Sequence, residues 1–184
     1  GCMFHSQHPK IIIKQLFDNI SKGSIEIDMI QMNGPDFDYV DNRLLSLHLV
    51  KERMTDAVIF GPDGVNLQPS NVLYKKNILT IRGSFRPVTK VNIDMIKNGY
   101  NKFIIENKVK KEDIQVLFEI TLSNLTVEGE IDEQDFLDRA DILCSIGQTV
   151  LVSNYQRYYK LLDYLSKFSS NRMGIILGVP NLKQ

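Results

Sequence analysis

ILTIRGSFRPVTKVNIDMI, residues 78–96, is the stretch from which the rest of the chain is best understood. Its first four residues, Ile78–Ile81, are apolar or β-branched, which is typical of a buried strand. Gly83 and Pro87 then interrupt the run, and from Lys90 onwards the apolar residues recur at helical spacing. The stretch therefore predicts a strand, a glycine turn and a helix, which together form the first half of a βαβ unit.

The segment around this turn is locally basic, although the whole chain is neutral. The 184 residues include 22 basic and 22 acidic side chains, yet no Asp or Glu lies between Gly64 and Ile93. That interval contains Lys75, Lys76, Arg82, Arg86 and Lys90. A basic segment beside a helix N-terminus, where free N–H groups carry partial positive charge, attracts anions. The pattern predicts a phosphate site; the alternative is that these side chains are ordinary solvated surface charges.

The composition is that of a globular protein, with 43% hydrophobic and 24% charged residues. No apolar run approaches the ~20 residues of a membrane span, and residues 1–20 lack a signal-peptide pattern, so we expect no membrane partner. The neutral charge argues against a nucleic-acid partner. The two cysteines, Cys2 and Cys144, predict neither a disulfide nor a metal site, which favours a cytoplasmic location.

Residues 1–75 show a mixed pattern. They predict a helix at Lys10–Ser21, a strand at Ser24–Met32, a helix at Asp38–Met54 and a hairpin whose first strand is Asp56–Phe60 and whose return includes Val65 and Leu67. We expect this part to form a small separate α+β lobe or an extension packed on the following domain.

Residues 76–184 alternate regularly between strand and helix patterns. Strands are predicted at 78–81, 114–122, 149–152 and 173–179, and helices at 90–107, 133–145 and 155–168. This order predicts an α/β fold, a Rossmann-like parallel sheet with helices on both faces, in addition to the small N-terminal α+β lobe. Ligands of such sheets bind at the carboxyl ends of the strands. Glu119 is the charged exception in an apolar strand, and it either faces a ligand at this edge or lies on a polar flank.

The turn and the start of the following helix resemble the signature of the nucleotidylyltransferase superfamily, which includes adenylyltransferases for nicotinamide or nicotinate mononucleotide and for phosphopantetheine. That signature reads G-[ST]-F-D-P-[IV]-[HT]-x-G-H after an apolar strand. Residues 83–92 of this chain read GSFRPVTKVN, and Asp94, Met95 and Ile96 extend the similarity into the helix.

The resemblance implies adenylyl transfer from ATP, with Mg²⁺, to a phosphorylated acceptor such as nicotinate or nicotinamide mononucleotide. It implies no metal ligand from the protein. It implies contacts to the nucleotide phosphates by the turn residues Gly83, Ser84 and Phe85, and catalytic roles for Thr89 and Asn92 at the two histidine positions of the signature, which would stabilise charge on the α-phosphate. Arg86 and Lys90 are not residues of the signature; we expect Arg86 to add a phosphate contact and Lys90 to add catalytic positive charge by another route.

Three departures from the signature keep other hypotheses open. Asn92 stands in place of the second histidine, Val91 in place of a glycine, and Arg86 in place of the acid. An amide donates a hydrogen bond but carries no charge, so it should stabilise a phosphate less well. The second hypothesis is a catalytically inactive nucleotide- or phosphate-binding module of a larger protein, with further domains beyond Gln184. The third is a domain that serves interaction alone.

Overall fold

The computed structural model describes residues 9–16 and 24–178. The strands within these residues are β1 (Ala57–Phe60), β2 (Asn66–Leu67), β3 (Asn77–Arg82), β4 (Ile114–Thr121), β5 (Thr126–Val127), β6 (Glu130–Ile131), β7 (Val150–Ser153) and β8 (Met173–Ile176). The helices are α1 (Pro9–Gln15), α2 (Asn42–Lys51), α3 (Pro69–Leu73), α4 (Lys90–Phe103), α5 (Leu122–Leu125), α6 (Glu133–Ser145) and α7 (Tyr158–Ser166).

Six of these strands form one mostly parallel sheet in the order β2-β1-β7-β4-β3-β8. The four strands β7, β4, β3 and β8 are parallel to one another, whereas β1 runs antiparallel to both β7 and β2. The predicted α/β class and the predicted strand–helix alternation from β3 to β8 are confirmed. Because parallel strands need crossover connections, the alternation in the sequence indicated their relative direction before any pairing was known.

Helices cover both faces of the sheet, as the sequence predicts. On one face, α2 and α6 pack against Phe60, Phe118 and Val152 in a continuous apolar cluster. On the other face, α3 and α7 pack against Ile78 and Leu117 in a second cluster. Strands β3 and β4 therefore bury side chains on both faces, which explains their nearly uninterrupted apolar sequence.

The part of the chain before residue 76 contributes two strands to this same sheet. The predicted hairpin is confirmed, because Ile59 of β1 lies opposite Leu67 of β2. Strand β1 then pairs with β7, and α2 contacts β1, β7 and α6. The boundary predicted at residue 75 therefore falls between two segments that share one sheet.

The strand predicted at Ser24–Met32 is wrong, because these residues have no regular secondary structure. The side chain of Asn42 hydrogen-bonds to both backbone groups of Met32. Its Oδ1 accepts from the Met32 N–H at 2.8 Å, and its Nδ2 donates to the Met32 carbonyl at 3.1 Å. Ile27 donates its N–H to the Met54 carbonyl. The segment is thus hydrogen-bonded to the start of α2 and to the turn that follows α2, and not to a neighbouring strand.

Other differences concern the bounds of elements. The helix predicted at Asp38–Met54 begins only at Asn42, because the Asp41 side chain caps it by accepting from the Arg43 N–H. Of the first predicted helix, residues 17–21 lie outside the described residues, as does Val179 at the end of the last predicted strand. None of the described helices has the length and apolarity needed to cross a membrane.

Candidate functional site

A cavity of about 390 Å³ opens at the carboxyl ends of three neighbouring strands, β3, β4 and β7. We call it the strand-end cavity; it is lined by Arg82, Gly83, Ser84, Thr121, Ser123, Asn124, Gln156 and Tyr158. Six of these eight described residues carry a hydroxyl or amide group, one is a cation, and none is a carboxylate. The lining therefore suits a polar ligand with negative charge, at the edge where α/β sheets bind ligands.

Arg82, the last residue of β3, is held in place by Glu119 of the neighbouring strand β4. The two residues lie opposite each other in the strand register. Arg82 Nε and Nη2 donate to Glu119 Oε2 and Oε1 at 2.7 and 2.8 Å, so the pair is bidentate. Glu119 is fully buried, and Arg82 is 9% exposed. Two parallel charge-assisted bonds restrict both position and orientation of the guanidinium group.

A third strand end completes this network. Ser153, the last residue of β7, donates its hydroxyl to Glu119 Oε1 at 2.6 Å. Glu119 therefore lies at the carboxyl edge, one of the two positions that the sequence left open for it, but its side chain faces Arg82 and Ser153. The residues Arg82, Glu119 and Ser153 join the ends of three adjacent strands beneath the strand-end cavity.

Two of the N–H groups of Arg82 have no hydrogen-bond partner among the described residues. A guanidinium carries five N–H donors; the Glu119 pair takes one on Nε and one on Nη2, and the Gln156 carbonyl accepts one from Nη1 at 3.0 Å. The Tyr158 ring covers the guanidinium, with 4.4 Å between its centroid and Arg82 Cζ. The remaining N–H groups on Nη1 and Nη2 can therefore bind an anion in the cavity that Arg82 lines.

Gly83 and Ser84, both predicted to contact phosphate, line the strand-end cavity, whereas the Phe85 side chain does not. Phe85 has φ 48, which is rare for a non-glycine residue, and is 2% exposed. Its ring packs 5.4 Å from the Phe118 ring, between centroids. A Cβ on Gly83 would lie 3.0 Å from the Phe85 ring, so a larger residue at this position would force the ring to shift by a few tenths of an ångström.

Arg86, the fourth residue predicted to contact phosphate, is not among the residues that line the strand-end cavity. Its side chain is 60% exposed, and its Nε lies 3.2 Å from Asp135 Oδ1 of α6. Asp135 also accepts from Arg139, whose Nη1 donates to the Ser84 carbonyl at 2.8 Å. Helix α6 thus holds the backbone of the turn in place through Arg139, which is 3% exposed.

Thr89, Lys90 and Asn92, predicted to be catalytic, lie at the start of α4 and are not among the residues lining the cavity. Thr89 and Asn92 form a capping box: Thr89 Oγ1 accepts from the Asn92 N–H at 3.3 Å, and Asn92 Oδ1 accepts from the Thr89 N–H at 2.9 Å. Because these reciprocal bonds stabilise the start of the helix, helix capping alone explains why threonine and asparagine occur three positions apart. The Asn92 Nδ2 group takes no part in the capping box.

Sequence reasoning missed most of the cavity lining. Thr121, Ser123 and Asn124 follow β4, and Gln156 and Tyr158 follow β7. The sequence did indicate which strand ends should face a ligand, but not that these side chains meet. Arg82 was counted only as one of several basic residues. The signal that could have identified it is the pairing of a charged residue at the end of one buried strand with Glu119 in the next.

The residues present do not form a site for a protein-held Mg²⁺. Among residues 9–16 and 24–178, no group of three His, Cys, Asp or Glu side chains is placed to hold a metal ion. Glu119, the carboxylate beneath the cavity, is already bonded to Arg82 and Ser153. Carboxylate and phosphate oxygens are the ligands that Mg²⁺ prefers, so here the ion would have to be held by the phosphates of a bound nucleotide.

Chemically, the strand-end cavity offers hydrogen-bond donors and one oriented cation. No histidine, cysteine or carboxylate is among its described lining residues, so the arrangement is suited to binding and to stabilising negative charge rather than to nucleophilic attack by the protein. The chain matches no protein-family model, no curated protein sequence and no solved structure.

Proposed function

We propose that this protein binds a nucleotide, or a related small phosphorylated ligand, in the strand-end cavity. The observation that carries the proposal is Arg82, which is fixed by the buried Glu119, lines a cavity rich in hydroxyl and amide groups, and keeps two N–H groups without a partner among the described residues. Charge-assisted bonds to a phosphate are roughly twice as strong as neutral ones. The ligand's anionic group would bind Arg82, and its other polar groups would bind the surrounding side chains.

The topology of the sheet supports this placement. Taken in chain order, the parallel strands β3, β4, β7 and β8 lie in the spatial order third, second, first, fourth. This matches the order 3-2-1-4 of the first four strands of a Rossmann-like sheet, in which ligands bind beyond the carboxyl ends of the strands. The resemblance of residues 83–92 to the nucleotidylyltransferase signature supports a nucleotide as the phosphorylated ligand, because Gly83 and Ser84 of that signature line the cavity.

Adenylyl transfer is the second candidate function, and the position of the Gly83–Ser84 turn favours it. In this reaction a phosphate oxygen of the acceptor, such as nicotinate mononucleotide, attacks the α-phosphorus of ATP, and pyrophosphate leaves. The protein's share is to position both substrates and to stabilise the developing negative charge. Arg82 is oriented for that role in the cavity, and Lys90 would supply charge only if the bound nucleotide reached the start of α4.

Calorimetric titration of ATP, AMP and inorganic phosphate into the protein tests the first proposal. We expect Arg82→Lys, which keeps the charge but loses the planar fork, and Asn124→Ala to weaken nucleotide binding. A charge-assisted bond is worth roughly 1.5–3 kcal/mol, so the Arg82 variant should lose about ten- to a hundredfold in affinity. Arg86→Ala is the matched control, since this arginine follows the same strand but lies outside the cavity lining.

The outcomes separate the two candidate functions. Affinity that falls in Arg86→Ala but stays unchanged in Arg82→Lys and Asn124→Ala would contradict the strand-end cavity and favour the phosphate contact expected of Arg86. Pyrophosphate release from ATP in the presence of nicotinate or nicotinamide mononucleotide, lost in the Arg82 variant, would establish adenylyl transfer. Binding of ATP without pyrophosphate release with these acceptors would favour the binding module.

A further inference from the structure

A second and larger cavity, of about 620 Å³, adjoins the strand-end cavity. We call it the α7 cavity, because most of its lining residues lie between Asn154 and Lys167. Gln156 lines both cavities, so it forms part of the wall between them. The Gln156 carbonyl accepts from Arg82 Nη1 at 3.0 Å. The shared wall is therefore bonded to the same arginine on which the proposed nucleotide site depends.

The lining of the α7 cavity has an excess of positive charge. Its four cations are Arg53, Arg157, Lys160 and Lys167, and its two carboxylates are Asp56 and Asp163. Asp56 already accepts a hydrogen bond from the Tyr155 hydroxyl at 3.1 Å. Within the part of the chain that the structure describes, no hydrogen bond or ion pair engages the side chain of any of the four cations. Such a group of unpaired cations raises the local concentration of anions.

The two arginines of this cavity differ from the other arginines of the chain, all of which are described. The others each contact a carboxylate or carbonyl oxygen of the protein: Arg43, Arg82, Arg86, Arg139 and Arg172. Arg53 and Arg157 have no such contact among the described residues, and both line the α7 cavity. The guanidinium groups that the fold leaves without an oxygen partner are thus collected in one place.

Arg53 also has a backbone conformation that favours glycine, with φ 59. It lies where the chain leaves α2: its N–H donates to the Val50 carbonyl at 3.1 Å, and the Met54 N–H donates to the Leu49 carbonyl at 2.9 Å. Helices commonly end with glycine at this position, because a Cβ disfavours the left-handed conformation. The turn alone would therefore favour glycine, whereas the α7 cavity gives the arginine side chain a role.

Helix α7 begins between the two cavities. Tyr158, its first residue, lines the strand-end cavity, and Tyr159 lines the α7 cavity. The N-cap residue Arg157 makes no side-chain capping bond. The positive end of the helix dipole therefore adds to the field of the cations where Gln156 joins the two cavities.

We propose that the ligand is a nucleoside di- or triphosphate whose first phosphate binds Arg82 and whose further phosphates extend past Gln156 into the α7 cavity. This inference rests on the proposed function, because it starts from a nucleotide phosphate at Arg82. Arg82 is the single cation among the described lining residues of the strand-end cavity, and Glu119 offsets its charge. Each further phosphate adds negative charge, which the cations of the α7 cavity can bind.

Titrations of AMP, ADP and ATP into the ¹⁵N-labelled full chain, followed by amide chemical shifts, test this proposal. The nucleotides are used without Mg²⁺, so that their phosphates keep their full charge. We expect the affinity to rise about tenfold or more from AMP to ATP, because the added phosphates gain charge-assisted contacts. AMP should shift the amides of Gly83 and Ser84, and ATP should in addition shift those of Tyr159 and Lys160.

Charge variants of the α7 cavity should separate the two ligands. Lys160→Gln should lower ATP affinity about fivefold, as expected for an exposed charge contact, and leave AMP affinity within about twofold. Lys97→Gln is the matched control, because Lys97 is an exposed lysine of α4 that lines neither cavity. It should leave both affinities unchanged, whereas Arg82→Lys should lower both.

Arg53→Gly adds a readout that a structural role would not move. Glycine relieves the left-handed conformation, so this variant should raise the melting temperature of the protein. It should at the same time lower ATP affinity, with AMP affinity unchanged. A higher melting temperature with unchanged ATP affinity would contradict the contact between Arg53 and the ligand.

Failure of this inference can be distinguished from failure of the proposed function. If AMP and ATP bind equally tightly and both depend on Arg82, or if Lys160→Gln lowers both affinities alike, the path past Gln156 is wrong but nucleotide binding in the strand-end cavity stands. If none of the three nucleotides binds, or if Arg82→Lys changes no affinity, the proposed function fails and this inference fails with it.

Discussion

Two arginine–carboxylate pairs, whose arginines lie at the end of β3 and in the turn that follows it, differ mainly in burial. The Arg82 and Glu119 side chains are 7% and 0% exposed and form a bidentate pair. The Arg86 side chain is 60% exposed and contacts Asp135 through Nε. Removing one partner of a buried pair leaves an uncompensated charge, whereas water screens an exposed pair. The same two residue types can therefore orient a binding site in one place and contribute little in another.

Glu119→Ala should have the largest effect, because it leaves the Arg82 guanidinium buried without its counter-charge. Breaking a buried pair in this way costs about 3–5 kcal/mol. Urea denaturation followed by circular dichroism measures the loss of unfolding free energy. Glu112→Ala, at an exposed carboxylate, is the matched control and should stay within about 0.5 kcal/mol of the parent protein. A small loss at Glu119 would mean that water reaches the pair.

Replacing both partners separates stability from binding. In Arg82→Met/Glu119→Leu no charge is left buried, and such apolar replacements are often neutral or stabilising by about 1–4 kcal/mol. We expect unfolding free energy to recover from the loss seen in Glu119→Ala, while ATP affinity remains lost. Denaturation and calorimetry on the same preparation give both quantities. Retained affinity in this variant would contradict the role assigned to Arg82.

Asp41 and Arg43 form a pair of intermediate exposure, with side chains 30% and 19% exposed, at the start of α2. Burial alone would raise the pKa of the Asp41 carboxyl, but the hydrogen bonds and charge of Arg43 outweigh it and lower this pKa below its usual value. A lowered folded-state pKa contributes stability that is present above the unfolded-state pKa of about 3.9 and is lost as pH falls through the folded-state value.

Asp41→Ala should therefore cost about 0.5–2 kcal/mol at neutral pH through the lost helix cap. The difference from the parent protein should shrink as pH falls below about 4, where the Asp41 carboxylate becomes protonated. Asp41→Asn keeps a capping side chain without the charge, so it should lose less stability. Thermal unfolding from pH 2 to pH 7 measures this. A difference that is constant over this range would show that the charge contributes nothing.

Arg86→Ala should have the smallest effect, since exposed ion pairs contribute about 0–1 kcal/mol. Raising the salt concentration from about 0.1 to 1 M shortens the range of electrostatic interactions. It should therefore remove any difference in unfolding free energy between Arg86→Ala and the parent protein. Denaturation of both proteins at the two salt concentrations measures it. A loss near that of Glu119→Ala would mean that the two pairs are energetically alike, which would break the comparison.

The predictable part of the fold is local. Strand β3, the glycine turn and the start of α4 were predicted because runs of apolar residues, glycine and helical spacing are each short-range signals. The strand predicted at Ser24–Met32 failed for a non-local reason: its backbone bonds are made by the side chain of Asn42 and by the carbonyl of Met54. No pattern within the segment itself reports such partners.

The sequence predicted where the candidate site lies, but not which residues line it. Gly83 and Ser84 were expected at a ligand and do line the strand-end cavity. Thr89 and Asn92 were expected to be catalytic, and their spacing of three is also that of the capping box they form. A motif whose residue types suit both a helix cap and a catalytic role does not reveal by itself which of the two roles it has.

The sequence by itself determined the α/β class, the alternation of strands and helices and the edge at which polar side chains collect, because these depend on period, turn chemistry and chain direction. Only the tertiary structure decided that Arg82 meets Glu119 and that Arg86 stays exposed. Neighbouring strands are brought into register by contacts 37 residues apart in the chain. The energy of an interaction between two charges depends on how deeply they are buried. Burial is a property of the packing and not of the residue type.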